Sequence, residues 1–188
     1  MNKDFRAAYY GTLGVKTVAA KASLDAALGG DSNSLVSVDL LKAVCRAAKI
    51  PRKYRSLVWK LVLGVTPPAK NAWNFVDEQQ RQTHDDLVWA QHVLFPAGSA
   101  NNSDIPDVMI RMRSVHSSSA PGLSLPRNYL RVPHLYCIAD CILEVCDGIE
   151  TDAYWIFKHF VDKMNVAPSI DRVVVGAFLS SYILYMFM

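Results

Sequence analysis

The chain has 188 residues, of which 51% are hydrophobic and 20% are charged, with 9 glycines and 9 prolines. This length allows one domain with a hydrophobic core, and the composition is that of a globular rather than a disordered protein. The net charge of +3 is too small and too dispersed to indicate nucleic-acid binding. The densest basic stretch, 49–60, has a helical pattern and is better explained as a solvated helix face.

The first half of the chain has helical periodicity. Helices are predicted at 4–13, 17–28, 38–48 and 52–63, separated by glycine-rich or polar turns. The third of these segments places one apolar stripe on a single face: Leu40, Leu41, Val44, Cys45 and Ala48. Pro51 ends that segment and suits the first turn of the next helix, which Gly64 and the following prolines end.

The second half continues the helical pattern. A long helix is predicted from about 71 to 94, with Trp73, Val76, Leu87, Gln91 and Leu94 on one face. Shorter helices are predicted at 108–115, 133–146 and from 151 onward, with loops at 96–106 and 117–126. No strand alternation is sustained, so the predicted fold class is all-α.

The N-terminal ten residues contain no long apolar core and no small-residue cleavage site, so no secretory signal is expected. The protein is therefore expected in a reducing compartment. There the four cysteines are expected to be free thiols, buried as small apolar residues. His134, Cys137 and Cys141 would share a helix face, but neither a fourth ligand nor a turn-borne CxxC pair accompanies them. Neither a metal site nor a cofactor is therefore predicted.

The segment 49–68 contains an ordered set of residues with distinct physical roles. Pro51 presets a helical backbone angle, Trp59 supplies a large apolar side chain, and Gly64 permits a left-handed turn. Arg55 lies four residues before Trp59, so its guanidinium can extend from that face to a neighbouring loop. This set resembles the opening motif of TBC domains, the helical fold of Rab GTPase-activating proteins. The resemblance implies a TBC fold, of which the chain would hold the N-terminal portion.

Three further blocks extend the resemblance over about residues 4–165: 4–10, 108–112, and 152–165 with Trp155. Within the TBC family they resemble the branch that forms the small third subunit of the tuberous sclerosis complex. That resemblance implies binding to the hamartin coiled coil and, through it, to tuberin, in support of GTPase activation on Rheb. It also implies a cytoplasmic protein that restrains rapamycin-sensitive growth signalling, with recruitment to lysosomal or vesicle surfaces left open.

Active TBC proteins resemble one another in an arginine within I-x-x-D-x-x-R and a glutamine within Y-x-Q, which stabilise phosphate charge and position water. The best counterpart of the arginine motif, 87–96, has Ala90 at the aspartate position and Val93 at the arginine position. No tyrosine is followed two residues later by glutamine. No catalytic residue is therefore expected, and a non-catalytic interaction subunit is the leading hypothesis.

The alternative is a Rab GTPase-activating protein with an unconventional finger, for which the candidates are Arg81, His92, Arg111 and Arg113. A structural ion pair or a solvated side chain explains each of them more simply, since no partner glutamine is present. Binding of a Rab-type small GTPase without catalysis also stays open.

After Asn165 the resemblance lapses, and the last 16 residues carry no charge. Three interpretations stay open for this tail: a truncated or alternatively spliced product, a divergent core helix, or a membrane anchor, for which the apolar run is short. Membrane association is otherwise expected to be indirect. The predicted division is N-terminal helices packing on the domain at 1–48, a partial TBC domain at 49–165, and a divergent hydrophobic tail at 166–188.

Overall fold

The computed structural model of the chain describes residues 17–31, 33–47, 50–95, 104–117 and 133–165. Seven α-helices lie in these ranges: α1 Thr17–Leu28, α2 Val38–Ala47, α3 Arg52–Leu63, α4 Trp73–Leu94, α5 Ile105–Ser117, α6 Pro133–Val145 and α7 Glu150–Asn165. A single 3₁₀ turn, Lys70–Ala72, precedes α4. The predicted helix at 4–13 and the tail at 166–188 lie outside the described residues.

The all-α prediction is confirmed in these ranges, where the one β-type contact is an isolated bridge between Leu35 and Ala69. The predicted boundaries agree with the observed helices within a few residues, with one difference at α5. This helix begins at Ile105 rather than at 108, so the predicted loop 96–106 is wrong at its end. Proline is tolerated in the first turn of a helix, which allows Pro106 to lie inside α5.

The described residues form two compact units, one up to Trp73 and one from Asn74 onward. The predicted division at residues 48 and 165 stays a prediction. The core of the first unit comes from α1, α2, α3 and the segments between them: Leu24, Ala27, Val36, Leu41, Val44, Ile50, Val58 and Leu61. In the predicted stripe of α2, Leu41 and Val44 are buried as expected, whereas Leu40 is 45% exposed.

Polar contacts fix the end of α1 in the first unit. The Lys70 ammonium donates to the last main-chain carbonyls of α1 and its turn, at 2.5 Å from Leu28, 3.0 Å from Gly29 and 3.1 Å from Gly30. These carbonyls have no partner within the helix, so a lysine from a distant segment satisfies them.

The second unit is built on α5, α6 and α7, which pack against one another. Its buried side chains include Met109, Ile110 and Met112 of α5, Ile138, Ala139, Ile142 and Val145 of α6, and Ala153, Tyr154, Ile156, Phe157 and Val161 of α7. The longest helix, α4, turns His84, Leu87 and Gln91 inward. The buried face of α6 thus includes apolar residues that recur at spacings of three and four: Ile138, Ile142 and Val145.

Candidate functional site

The TBC-like signature residues lie before, along and after α3. Pro51 precedes the helix, with φ −58° and ψ 141°, and its carbonyl accepts a hydrogen bond from the Tyr54 amide at 2.9 Å. Pro51 thus lies immediately before α3, whereas the sequence placed it in the first turn of this helix. The Arg55 Nε atom donates to the main-chain carbonyl of Ile50 at 2.9 Å, in the segment that leads into the helix. Trp59 is buried, with 9% of its surface exposed.

Gly64 ends α3 in the left-handed conformation, with φ 77° and ψ 23°. Its amide donates to the Leu61 carbonyl at 3.2 Å, and the next amide, of Val65, donates to the Lys60 carbonyl at 2.8 Å. A Cβ atom at this position would meet no atom within 4 Å. The preference for glycine is therefore conformational and not steric.

The positions predicted to stand in place of the arginine motif of active TBC proteins lie near the end of α4. Ala90 is half-buried, and Val93 is 58% exposed. Neither side chain can donate a hydrogen bond to a phosphate. Trp89 and Leu94 beside them are 70% and 57% exposed, and we call Trp89, Val93 and Leu94 the α4 apolar patch. The prediction that Leu94 shares the buried face of α4 is wrong, because it is the last residue of that helix and its side chain faces outward.

The cationic residues considered as substitute catalytic fingers form contacts within the chain or are exposed to solvent. The Arg81 guanidinium lies 2.5 Å from the Glu78 carboxylate, and this hydrogen bond lowers the pKa of Glu78. Arg113 pairs with a carboxylate of α7 at 2.7 Å, and Arg111 is buried with its Nε 3.3 Å from a main-chain carbonyl of its own helix. His92 is exposed on α4. All three arginines thus have partners within the chain.

A cluster of aromatic and polar side chains joins α7 to its neighbours. Trp155 is half-buried, and its indole Nε1 donates to the Gln80 carbonyl of α4 at 3.1 Å. On the other side, His116 of α5 lies edge-on to the Trp155 ring, with the two ring centroids 5.5 Å apart. The His116 Nδ1 atom lies 2.8 Å from the hydroxyl oxygen of Tyr154, which is completely buried.

Charged groups surround this cluster. The Asp162 carboxylate accepts hydrogen bonds from Arg113 at 2.7 Å and Lys158 at 3.0 Å. Burial acts to raise the pKa of Asp162, but the two cations outweigh it and lower the pKa. Burial and, less strongly, the charge of Lys158 lower the pKa of His116, against an opposing contribution from Asp162. Burial likewise raises the pKa of the Tyr154 hydroxyl, so this group stays neutral.

The start of α5 is tied to α6 by a hydrogen bond from the Tyr136 hydroxyl to the Asp104 carboxylate. This bond, reinforced by burial and by nearby carboxylates, raises the pKa of Tyr136 to about 12.

The cysteines are free thiols in the structure. Cys146 is buried, whereas Cys137 is exposed, so the prediction of buried cysteines is wrong there. Burial raises the pKa of the Cys45 and Cys141 thiols, which makes them less reactive. In the described parts of the chain, no three His, Cys, Asp or Glu side chains are grouped so as to hold a metal ion. None of the described helices has the length and apolar character needed to cross a bilayer.

Comparison with known proteins finds curated relatives that are similar in sequence to most of this chain. The chain is 27% identical over 165 residues to TBC1 domain family member 7 of Bos taurus, 27% over 166 residues to that of Xenopus tropicalis, and 28% over 164 residues to the human protein. The chain is similar to TBC1 domain family member 7. Each match covers 87% of this chain and 54% of the relative, so the chain spans about half the length of these relatives. No family model matches the chain.

The sequence analysis did not identify two residues of the aromatic and polar cluster around Trp155: Tyr154 of α7 and His116 of α5. Tyr154 precedes Phe157 by three residues and Val161 by seven, a spacing that predicts one buried face and could have identified it. His116 gave no such signal, because its partner is 38 residues away in the chain.

Proposed function

We propose that the chain is a non-catalytic interaction subunit that binds a partner helix through the α4 apolar patch. From the similarity to TBC1 domain family member 7, we propose the hamartin coiled coil as that partner, and tuberin through it. The complex would support GTP hydrolysis by Rheb and restrain rapamycin-sensitive growth signalling. The proposed location is the cytoplasm, with recruitment to lysosomal or vesicle surfaces through the complex.

The observation that carries this proposal is the exposure of Val93, at the position where an active relative would hold an arginine. A valine that is 58% exposed offers apolar contact area and no charge. Trp89 lies one helical turn before it and is 70% exposed. Side chains four residues apart on a helix contact the same partner surface, and tryptophan is enriched among residues that dominate binding energy. These features favour helix recognition over phosphoryl chemistry.

Acidic side chains lie beside the α4 apolar patch and form a polar rim for it. Asp85 and Asp86 lie one turn before Trp89 and are both exposed. A partner helix with apolar residues at a spacing of three or four and a basic residue beside them would match this surface.

The test is the affinity of the full chain for a hamartin coiled-coil fragment, measured by calorimetry. We expect Trp89→Ala to weaken binding by about 30-fold or more, the effect of a hot-spot residue. Phe75→Ala is the matched control, because Phe75 is 69% exposed on the same helix but outside the patch, and its affinity should stay within about twofold. Absence of binding by the wild type, or equal affinity of both variants, would reject the proposal.

The competing function is that of a Rab GTPase-activating protein with an unconventional finger, which the similarity to TBC proteins keeps open. Single-turnover GTP hydrolysis over a panel of Rab proteins distinguishes the two. We expect stimulation far below the ~10³-fold that an arginine finger supplies, and no change in Arg81→Ala, Arg111→Ala or Arg113→Ala. Strong stimulation that falls about a hundredfold in one folded variant would identify a relocated finger.

A further inference from the structure

The end of α5 is joined to α7 by a hydrogen bond between two side chains. The His116 Nδ1 atom lies 2.8 Å from the Tyr154 hydroxyl oxygen, and the two rings are nearly parallel, at 21°. Tyr154 is completely buried, and burial raises the pKa of its hydroxyl, so the phenol is protonated at every pH from 5 to 8. In the described part of the chain, His116 is the hydrogen-bond partner of this hydroxyl.

The direction of this hydrogen bond depends on the charge of His116. A neutral imidazole with its proton on Nε2 accepts the Tyr154 hydroxyl proton at Nδ1. An imidazolium carries protons on both nitrogens, so Nδ1 can only donate. The Tyr154 hydroxyl would then accept, and its own proton would lose its acceptor in a buried environment. A buried donor without an acceptor is destabilising.

Two charged groups of α7 act on His116 in opposite directions: Lys158 opposes its positive charge and Asp162 favours it. Other titratable groups lie beside the partners of His116: Arg113 of α5 pairs with Asp162, the ring of His159 lies 6.3 Å from that of Trp155, and the ring of His84 on α4 lies 5.9 Å from that of Tyr154. Asp162 is the one carboxylate in this set, and it already accepts hydrogen bonds from Arg113 and Lys158. The carboxylates of α6, Asp140 and Glu144, are exposed.

We propose that the His116–Tyr154 contact is an acid-sensitive latch, in which protonation of His116 below neutral pH loosens the last turn of α5 from α7. The latch is closed when the imidazole is neutral. It opens through the combined effect of a half-buried cation, the like charge of Lys158, and the orphaned hydroxyl of Tyr154.

The sign of the pH effect follows from linkage. Burial and Lys158 lower the pKa of His116 in the folded chain, whereas the unfolded chain binds the proton at about pH 6.5. The stability contributed by neutral His116 is therefore complete above about pH 6.5 and is lost as the pH falls through the folded pKa. A single histidine can change the unfolding equilibrium constant by at most about tenfold per pH unit.

The test combines a direct titration with a comparison of variants of the full chain. Proton NMR follows the His116 ring signal, identified through its cross-peaks to both Tyr154 and Trp155, and we expect its midpoint below pH 6.5. Urea unfolding is measured at pH 7.5 and 5.5 for the wild type, His116→Gln and His92→Gln. The glutamine at 116 keeps an acceptor for Tyr154 but does not titrate, and His92 is an exposed histidine that serves as the control.

We expect the unfolding equilibrium constant to rise between pH 7.5 and 5.5 at least threefold more in the wild type and His92→Gln than in His116→Gln. Amide exchange in the last turn of α5, corrected for the intrinsic effect of pH, should accelerate relative to α6. A midpoint at or above 6.5, or equal pH dependence in all three proteins, would overturn the proposal. If His116→Gln does not fold, the wild-type midpoint and the local exchange rates decide alone.

Discussion

Trp59 is the largest buried side chain of the signature helix α3, with 9% of its surface exposed. Truncation to alanine leaves a cavity that the surrounding helices can fill only in part. We predict that Trp59→Ala lowers the free energy of unfolding by about 3 to 5 kcal/mol, measured by urea denaturation.

Trp89→Ala is the matched control, because this tryptophan is 70% exposed on α4. It should change the free energy of unfolding by less than about 0.5 kcal/mol. Equal losses in the two variants would show that the burial of Trp59 does not determine its contribution. The pair also separates stability from binding, since the binding effect is expected at Trp89 alone.

At the scale of single residues, local chemistry made some positions predictable. The left-handed turn predicted at Gly64 is confirmed by its φ of 77°, because glycine after an apolar helix is the common way to end it. Exposure was not predictable in the same way. Leu40 and Leu94 both have the apolar character and spacing of core residues, yet 45% and 57% of their surfaces are exposed. Their neighbours in space decide this, and these come from other parts of the chain.

At the scale of elements, α1 depends on a residue that lies about 40 positions further along the chain. The Lys70 ammonium contacts the carbonyls of Leu28, Gly29 and Gly30, where the helix dipole also favours a cation. We predict that Lys70→Met, which keeps the aliphatic stem, lowers the free energy of unfolding by about 1.5 to 3 kcal/mol. Chemical denaturation followed by circular dichroism measures this loss.

Lys42→Met provides the control for a lysine at the surface. Its ammonium lies 3.4 Å from Asp39, whose side chain is 95% exposed, and such pairs contribute little. A change within about 0.5 kcal/mol is expected. If Lys70→Met behaved in the same way, water would satisfy the α1 carbonyls as well as the lysine does.

The elements themselves were predicted from periodicity, but their inward faces were predicted only in part. In α6 the apolar stripe and the buried face coincide. In α7 the apolar residues of the sequence include Trp155, which is half-buried and reaches α4 through its indole nitrogen, while Tyr154 beside it is completely buried. Adjacent residues point about 100° apart on a helix, so either could have faced the core. Contacts with His116 of α5 and His84 of α4 selected Tyr154.

At the scale of the whole molecule, acid should reduce stability in two separate pH ranges. Neutral His116 contributes above about pH 6.5, as derived above. Asp162 has a lowered pKa in the folded chain, so its contribution is present above about pH 4 and is lost as the pH falls through the folded pKa. We predict a stability curve with two descents, measured as the urea midpoint from pH 8 to pH 2.5.

Asp162→Asn should reduce the lower descent and leave the upper one in place. Asp39→Asn, which alters a carboxylate that is 95% exposed, should leave both. A single descent in the wild type, or a lower descent of unchanged size in Asp162→Asn, would contradict the assignment.

The sequence by itself determined the helical class, the α3 signature, the similarity to TBC proteins and the absence of an arginine at position 93. These follow from residue type and short-range spacing, which act within one or two helical turns. Only the tertiary structure decided that Val93 and Trp89 form an exposed patch, that Lys70 caps α1, and that His116 bonds to Tyr154. Each of these features depends on contacts with distant parts of the chain. The helical repeat of 3.6 residues per turn cannot specify them, because burial and pairing depend on which distant helices pack together.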